Sequence, residues 1–160
     1  MSINAAQFWR NNAYMMADVA KLWIKPGDRV YDPTYGKGGF WKVYRPPLLT
    51  YDDLDPRKGF GGDFRAMSHP DNSFDVVVFD PAYVTPGGRD TSTIQVMNAA
   101  YGMDTTKMTL DEQWHDICLG LAECVRVADE GNPDGALVMQ KAMNYISSAS
   151  YHNYIRMVGN

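Results

Sequence analysis

Three stretches of this 160-residue chain end on the same dipeptide, Asp-Pro. The stretches are β-favouring apolar runs, and the dipeptides are Asp32-Pro33, Asp55-Pro56 and Asp80-Pro81. Ligands of an open α/β sheet bind outside the carboxyl ends of its strands, so these carboxylates are expected to converge on one edge. An antiparallel sandwich gives no reason for the repetition, so the pattern favours a parallel sheet.

Helical periodicity flanks these runs. Apolar residues recur at helical spacing from Ala5 to Ile24, before Pro26-Gly27 ends the pattern. A capping box at Thr109 starts a second helix that extends to about Val127, and a further strand is predicted over residues 136–139. We therefore expect a single α/β domain over residues 1–160, with an open, mostly parallel sheet and helices on both faces.

Two features depart from a regular alternation of strands and helices. Seven residues separate Asp55 from Asp63, whereas a helical crossover needs roughly 10–12. The element after the second strand is therefore expected to be abbreviated. The chain also reaches Asn160 before the closing strands of such a sheet, which predicts a sheet that lacks its C-terminal strands or is completed by another chain.

The charge balance argues against a nonspecific polyanion binder. Lys and Arg number 15 against 19 Asp and Glu, a formal charge of −4, whereas nucleic-acid-binding domains are usually basic. Contact with a nucleic acid must then rest on a local patch. The candidates are Lys37, Lys42, Arg45, Arg57 and Lys58. Scattered surface charges are the simpler interpretation of the same residues.

The cysteines, the N-terminus and the apolar runs point to the cytoplasm. Cys118 and Cys124 lie six apart on one predicted helix and hence on different faces, which indicates a reducing compartment. Neither a signal sequence nor a membrane-spanning run is evident, so no membrane contact is expected. The three histidines show no metal-ligand spacing, and no metal is predicted.

The first strand passes into a glycine-rich loop, Asp32 to Gly39, of the form D-x-x-x-G-x-G. Glycines allow a tight turn and close approach of a ligand, and the strand-end carboxylate can accept hydrogen bonds from a cationic or hydroxylated ligand. An ordinary strand-to-helix turn is the alternative. The loop is not a phosphate-binding P-loop, because no Ser or Thr follows Lys37.

An acidic cluster ends the second strand a little over twenty residues later. That spacing suits a carboxylate that binds the ribose hydroxyls of a nucleoside-containing cofactor. Asp53 is the preferred candidate, because strand residues alternate between faces and Asp55 lies in the turn. For Asp52 and Asp55, a solvated acidic turn is an equally good interpretation.

The most hydrophobic run of the chain ends at Asp80-Pro81-Ala82-Tyr83. A carboxylate and a backbone carbonyl that accept the two N–H groups of an exocyclic amine favour a pyramidal nitrogen with its lone pair directed at an electrophilic methyl group. An adjacent aromatic can stack on an extruded base. The alternative is a structural Asp-Pro turn followed by a core tyrosine.

In these motifs the sequence resembles the amino-group DNA methyltransferases of bacteria and phages, which include those of restriction-modification systems. The glycine-loop motif matches Asp32 to Gly39, and the acidic motif matches Asp53-Leu54-Asp55-Pro56. A third motif resembles Gly62-Asp63-Phe64, and the catalytic D-P-P-Y tetrad resembles Asp80-Pro81-Ala82-Tyr83. The order of the motifs is that of the family over most of the chain.

The resemblance implies a Rossmann-like class I methyltransferase fold and S-adenosylmethionine as cofactor. In that fold the methionine part of the cofactor would be held by Asp32, Pro33, Gly36 and Gly38. Asp53 would bind the ribose. The adenine ring would be bound by Asp63 and Phe64, and Asp80 would also lie beside the cofactor.

The same resemblance implies roles in catalysis. Asp80 and the Pro81 carbonyl would orient the target amine, and Tyr83 would stack on the flipped-out base of DNA. Neither a general base nor a metal is required, because the sulfonium cofactor is already activated. Ala82 departs from the second proline of the tetrad, and no target-recognition domain is evident.

Several functions remain open at this point. Adenine N6 is the favoured target and cytosine N4 the close alternative, because the Asp of the tetrad permits both. Methylation of RNA or of a glutamine amide is less favoured, since those relatives usually begin the tetrad with Asn. A noncatalytic binding module that retains the cofactor fold is the alternative from a different class.

Overall fold

A computed structural model describes residues 11–56, 61–82, 95, 108–129 and 137–140. These residues contain the strands β1 (Arg29–Asp32), β2 (Leu48–Tyr51), β3 (Val76–Phe79) and β4 (Leu137–Gln140). All the pairings between them are parallel, and the order across the sheet is β2-β1-β3-β4. The prediction of an α/β domain with a parallel sheet is confirmed.

The strand order reverses between β1 and β3. The chain leaves β1 for β2 on one side, then passes back beyond β1 to form β3 and β4 on the other side. In register, Val30 of β1 lies opposite both Leu49 of β2 and Val76 of β3. Such a topological switch point leaves a crevice at the carboxyl ends of the two central strands. Asp32 ends β1 and Asp80 immediately follows β3, so both carboxylates lie at this crevice.

One face of the sheet is covered by helix α1 (Asn12–Trp23). The Asn11 side chain caps it by accepting hydrogen bonds from the Ala13 and Tyr14 backbone N–H groups. Its buried Met16 and Ala20 pack with Val30 of β1 and with alternate residues of β3. A short 3-10 helix (Gly39–Lys42) completes this layer with Phe40 and Trp41.

The opposite face is covered by helix α2 (Leu110–Val127). The predicted capping box is confirmed, because the Thr109 hydroxyl accepts from the Glu112 backbone N–H while Glu112 accepts from the Thr109 backbone N–H. Gly120 permits close packing, since a Cβ there would lie 2.5 Å from Cζ of Phe79. Helices therefore cover both faces.

The elements differ from the predicted bounds in detail. The predicted start of α1 at Ala5 lies outside the described residues. β2 ends at Tyr51, so the prediction that the second strand ends at Asp55-Pro56 is wrong; the Asp52 carbonyl instead accepts a hydrogen bond from the Tyr35 backbone N–H. In the described residues between β2 and β3 there are turns and no α-helix, as expected for an abbreviated connection. That connection joins strands that are not neighbours in the sheet.

Two further expectations concern α2 and membranes. Cys118 is exposed and Cys124 is buried, so the prediction that they occupy different faces is confirmed. No helix in the described part of the chain combines the length and the apolar character needed to cross a membrane.

Candidate functional site

Asp32 lies at the centre of the carboxyl edge of the sheet and is only 3% exposed. Its Oδ2 accepts a hydrogen bond from the Trp41 indole Nε1 at 2.7 Å. Its Oδ1 accepts from the Thr34 backbone N–H at 3.0 Å and from the Thr34 hydroxyl at 3.4 Å. Neutral donors thus hold this buried carboxylate in one orientation.

Thr34 joins the ends of the two central strands. Besides its bonds to Asp32, its Oγ1 accepts a hydrogen bond from the Asp80 backbone N–H at 2.8 Å. One hydroxyl therefore bridges the residue that ends β1 and the residue that follows β3. This bridge fixes the spacing of the two carboxylates across the switch point.

The environment of Asp32 disfavours a negative charge. Burial raises the pKa of Asp32 to about 7, although the hydrogen bonds from Trp41 and Thr34 act in the opposite direction. The nearby charge of Asp80 raises the pKa further. A cationic group in the crevice would reverse this effect, because it would stabilise both carboxylates in their ionised forms.

The glycine loop adopts the tight turn that its sequence predicts. Gly36 and Gly38 both have positive φ, at 58° and 66°. The positive φ of Gly38 favours glycine, and a Cβ there would also lie 2.6 Å from the Tyr35 hydroxyl oxygen, so a larger residue would require Tyr35 to shift. The Gly36 backbone N–H points back into the site and donates to Oδ2 of Asp53 at 2.6 Å.

Asp32 and Asp80 face one large cavity of about 720 Å³. Its walls come from the glycine loop, the 3-10 helix and the beginning of α1. They include Asn11, Asn12, Tyr14, Thr34, Gly36, Lys37, Phe40 and Lys42. The volume lies in the range of small-molecule binding sites, roughly 300–1,000 Å³. Its floor is acidic, and its margin carries lysines.

A second cavity adjoins the first one through Thr34 and Asp80, which line both. Its lining also includes Pro33, Asp53, Leu54, Phe64, Pro81 and Ala82. The volume is about 20 Å³, enough for a single water molecule. A purine ring does not fit into this volume.

The three acids after β2 occupy different environments. Asp53 is 5% exposed and lines the smaller cavity. Its oxygens accept hydrogen bonds from the Gly36 N–H and, at 2.9 Å, from the Asp55 N–H. Asp52 instead accepts from the Tyr31 hydroxyl at 2.8 Å and lies 3.2 Å from Nε2 of His69. Asp53 is thus the one that lines the smaller cavity, although its oxygens also hold the glycine loop.

Most of the predicted site residues come together around these two cavities. They are Asp32, Pro33, Gly36, Asp53, Phe64, Asp80 and Pro81. Gly38 and Asp63 line neither cavity. The Asp63 carboxylate forms an ion pair with Arg65 at 2.9 Å, which holds its pKa below the usual range. Tyr83, Arg57 and Lys58 lie outside the described residues.

Gln113 is a site residue that sequence reasoning missed. It is 5% exposed, and its Nε2 donates a hydrogen bond to the Ala82 carbonyl at 3.1 Å. A signal was present, because Gln113 lies four residues before Ile117 on the core-facing side of an amphipathic helix. Trp41 and Thr34 were likewise missed as the donors that hold Asp32.

Comparison with known proteins leaves the site to be judged on its own chemistry. A scan against protein-family models, a search of curated proteins and a search of solved structures each give no match to this chain. Within the described ranges, no group of three or more His, Cys, Asp or Glu could hold a metal ion.

Proposed function

We propose that this chain is an S-adenosylmethionine-dependent methyltransferase with a Rossmann-like class I fold that acts on an exocyclic amino group of a DNA base. One observation gives the main support for the proposal. Asp32 and Asp80, joined through Thr34, lie at the carboxyl ends of the parallel strands that flank the switch point and face one cavity of about 720 Å³.

The donor set fits a cofactor that is both cationic and nucleoside-containing. The methionine ammonium of S-adenosylmethionine is a suitable partner for the Asp32 carboxylate, whose ionised form a cation would stabilise. Asp53 and Phe64, which line the adjoining cavity, would bind the ribose and the adenine. Entry of the adenine requires the lining of that cavity to rearrange, because its volume is about 20 Å³.

The bound cofactor supplies an electrophilic methyl group, and the chain supplies orientation. The Asp80 carboxylate and the Pro81 carbonyl would accept the two N–H groups of the target amine, which directs the nitrogen lone pair towards the methyl group. Thr34 and Gln113 hold this segment on either side of Pro81, through the Asp80 N–H and the Ala82 carbonyl. Gln113 therefore restrains the backbone at the position where the resembled tetrad has its second proline.

Adenine N6 is the proposed target, and cytosine N4 remains the alternative. Both reactions present a conjugated amino group to the same pair of acceptors. Because the methylated nitrogen can lose its extra proton after transfer, the proposal requires no general base.

A radiolabelled methyl-transfer assay on unmodified genomic DNA tests the proposal. Tritiated S-adenosylmethionine is the methyl donor, and the DNA is digested to nucleosides that are separated by chromatography. We expect label in N6-methyl-2′-deoxyadenosine, whereas label in N4-methyl-2′-deoxycytidine would change the target. Absence of label from DNA, with RNA of the same sequence labelled instead, would overturn the DNA assignment.

A noncatalytic cofactor-fold module is the second candidate, and two observations favour it. The smaller cavity is closed to a purine ring, and both Asp53 oxygens already accept backbone hydrogen bonds. Calorimetric titration with S-adenosylmethionine separates the candidates. The enzyme requires measurable affinity for the cofactor, and its absence would favour the module.

A further inference from the structure

Apart from Lys25, the described cations divide into two groups that differ in their partners. Four lie within 3.1 Å of a carboxylate oxygen, in the pairs Lys21–Asp18, Arg29–Asp75, Arg65–Asp63 and Arg126–Glu123. These pairs occur on the helices, at the start of β1 and in the connection between β2 and β3, and none of their residues lines the large cavity. In them the positive charge is already compensated within the fold.

Lys37, Lys42 and Arg45 form the second group, which we name the basic rim. Among the residues that the structure describes, none of the three forms an ion pair with a carboxylate. All three are exposed and belong to the connection between β1 and β2. Lys37 and Lys42 line the large cavity directly. In a chain of net charge −4, three of the described cations thus lack an ion pair and lie in the segment beside the proposed active site.

Arg45 is fixed at this margin by aromatic contacts. Its Nη1 donates a hydrogen bond to the Tyr35 hydroxyl at 2.8 Å, and Tyr35 lines the cavity. The guanidinium also lies 5.1 Å from the ring centroid of Tyr51, which stacks on Tyr35 at 4.0 Å. A guanidinium has five N–H donors, so these contacts leave donors that can bind a phosphate.

The charges around the cavity favour different positions for a phosphate and for a base. The floor carries Asp32 and Asp80, which repel an anionic phosphate, whereas the margin carries the basic rim. A neutral nucleobase can approach the floor without that repulsion. A nucleotide would therefore be oriented with its base inward and its phosphates outward, on the rim.

We propose that the basic rim binds the backbone phosphates of the DNA strand whose target base enters the large cavity. The proposal deepens the proposed function and rests on it for the identity of the ligand. It assigns the polyanion contact to one segment of an acidic protein rather than to its overall charge. Removal of a rim lysine should then reduce the salt dependence of DNA binding, because fewer counterions are released.

Fluorescence anisotropy with a labelled DNA duplex tests the basic rim. The variant is Lys37→Gln/Lys42→Gln, and the matched control is Lys21→Gln/Lys25→Gln, at the C-terminal end of α1 away from the cavity. Both variants lose two positive charges. For the rim variant we expect the slope of log K against log salt to become shallower by about 2. Between 50 and 200 mM salt, the wild type should then lose about tenfold more affinity than this variant.

The outcomes distinguish failure of the rim proposal from failure of the proposed methyltransferase activity. The proposal that the basic rim binds DNA phosphates would be refuted by an equal change of slope in both variants. It would also be refuted if the wild type did not bind duplex DNA at low salt. Rim-dependent binding of RNA but not DNA would also overturn it. DNA binding that depends on the rim lysines, without methyl transfer, would support the rim proposal and refute the proposed methyltransferase activity. Methyl transfer with binding unchanged in the rim variant would refute the rim alone.

Discussion

At the amino-terminal edge of the sheet Arg29 begins β1 beside Asp75, whereas at the carboxyl edge Asp32 ends the same strand among neutral donors. The Arg29 guanidinium donates to Asp75 at 2.9 Å and to Asp129 at 3.1 Å. The bonds from Arg29 to Asp75 lower the pKa of that carboxyl group. Burial has the opposite effect on Asp32 and raises its pKa to about 7. The same residue type is thus stabilised as an anion at one edge and destabilised at the other.

The difference separates structural charges from functional ones. A paired carboxylate at the amino-terminal edge contributes to stability and has little capacity left for a ligand. A buried carboxylate held by an indole N–H and a threonine costs stability until a cation compensates it. Strained electrostatics of this kind are typical of binding and catalytic sites.

The largest expected effect comes from Asp80→Ala. Loss of the carboxylate that orients the target amine should lower kcat for methyl transfer by at least about 100-fold. Affinity for S-adenosylmethionine should change little, because the glycine loop and Asp53 remain intact. The measurement is single-turnover methyl transfer to DNA, together with calorimetric titration of the cofactor.

Asp75→Asn is the matched control at the opposite edge. It should lower the free energy of unfolding by about 1 kcal/mol or less, as expected for a partly exposed ion pair. Its kcat should equal that of the wild type. If the two variants lost activity equally, the functional contrast between the edges would be refuted.

The pH dependence of stability should distinguish Asp32 from Asp75. The folded-state pKa of Asp32 is raised to about 7, so between about pH 4 and 7 the folded protein binds a proton that the unfolded chain has released. Stability from this group therefore falls as the pH rises through that window. Asp75 has a lowered pKa, so its contribution is lost only as the pH falls below about 4.

Urea unfolding of the wild type and Asp32→Asn at a series of pH values measures the effect. Between pH 4 and 7.5, we expect the difference in unfolding free energy to shift by about 2–4 kcal/mol in favour of the variant. The reason is that asparagine cannot ionise. Asp75→Asn should show no such shift in that window. A constant difference for Asp32→Asn would mean that the carboxylate is ionised throughout.

Local patterns were sufficient to predict the acidic ends of β1 and β3. In both, the apolar run and the Asp-Pro dipeptide are adjacent in sequence, so the positions of Asp32 and Asp80 at one edge followed from parallel pairing. The end of β2 was not predicted, because Asp55 lies four residues beyond it. Asp53, which was preferred over Asp52 because strand residues alternate, lies beyond the end of β2, and of these two residues only Asp53 lines either cavity; its role in ribose binding stays a prediction.

The partners of these acids could not be predicted in the same way. The contact between Gln113 and Ala82 joins residues 31 apart in sequence, and it depends on how α2 lies on the sheet. The bond from Trp41 to Asp32 depends on the turn made by the 3-10 helix. Such contacts follow from tertiary packing, which a periodic pattern does not encode.

Asp53→Ala should have the next largest effect. It should weaken S-adenosylmethionine binding by about 1–3 kcal/mol, through the ribose contact and through the Gly36 N–H that loses its acceptor. Asp52→Asn is the matched control one residue earlier, since Asp52 lines neither cavity. Calorimetric titration measures both dissociation constants. An unchanged constant for Asp53→Ala, or equal weakening in both variants, would remove Asp53 from the cofactor site.

Gln113→Leu should have the smallest effect. It allows a comparison of the two ends of helix α2, which contact different parts of the molecule. Near its start, α2 contacts the carboxyl edge through Gln113, and near its end Glu123 accepts a hydrogen bond from the Met67 N–H at 2.7 Å. Leucine fills a similar volume but cannot donate to the Ala82 carbonyl. We therefore expect kcat to fall about fivefold, with KM for the cofactor unchanged, because the Pro81 carbonyl is held less firmly. Glu123→Gln should lower the melting temperature and leave kcat unchanged. Equal losses of kcat in both variants would mean that α2 supports the sheet as a whole and that Gln113 does not position the tetrad.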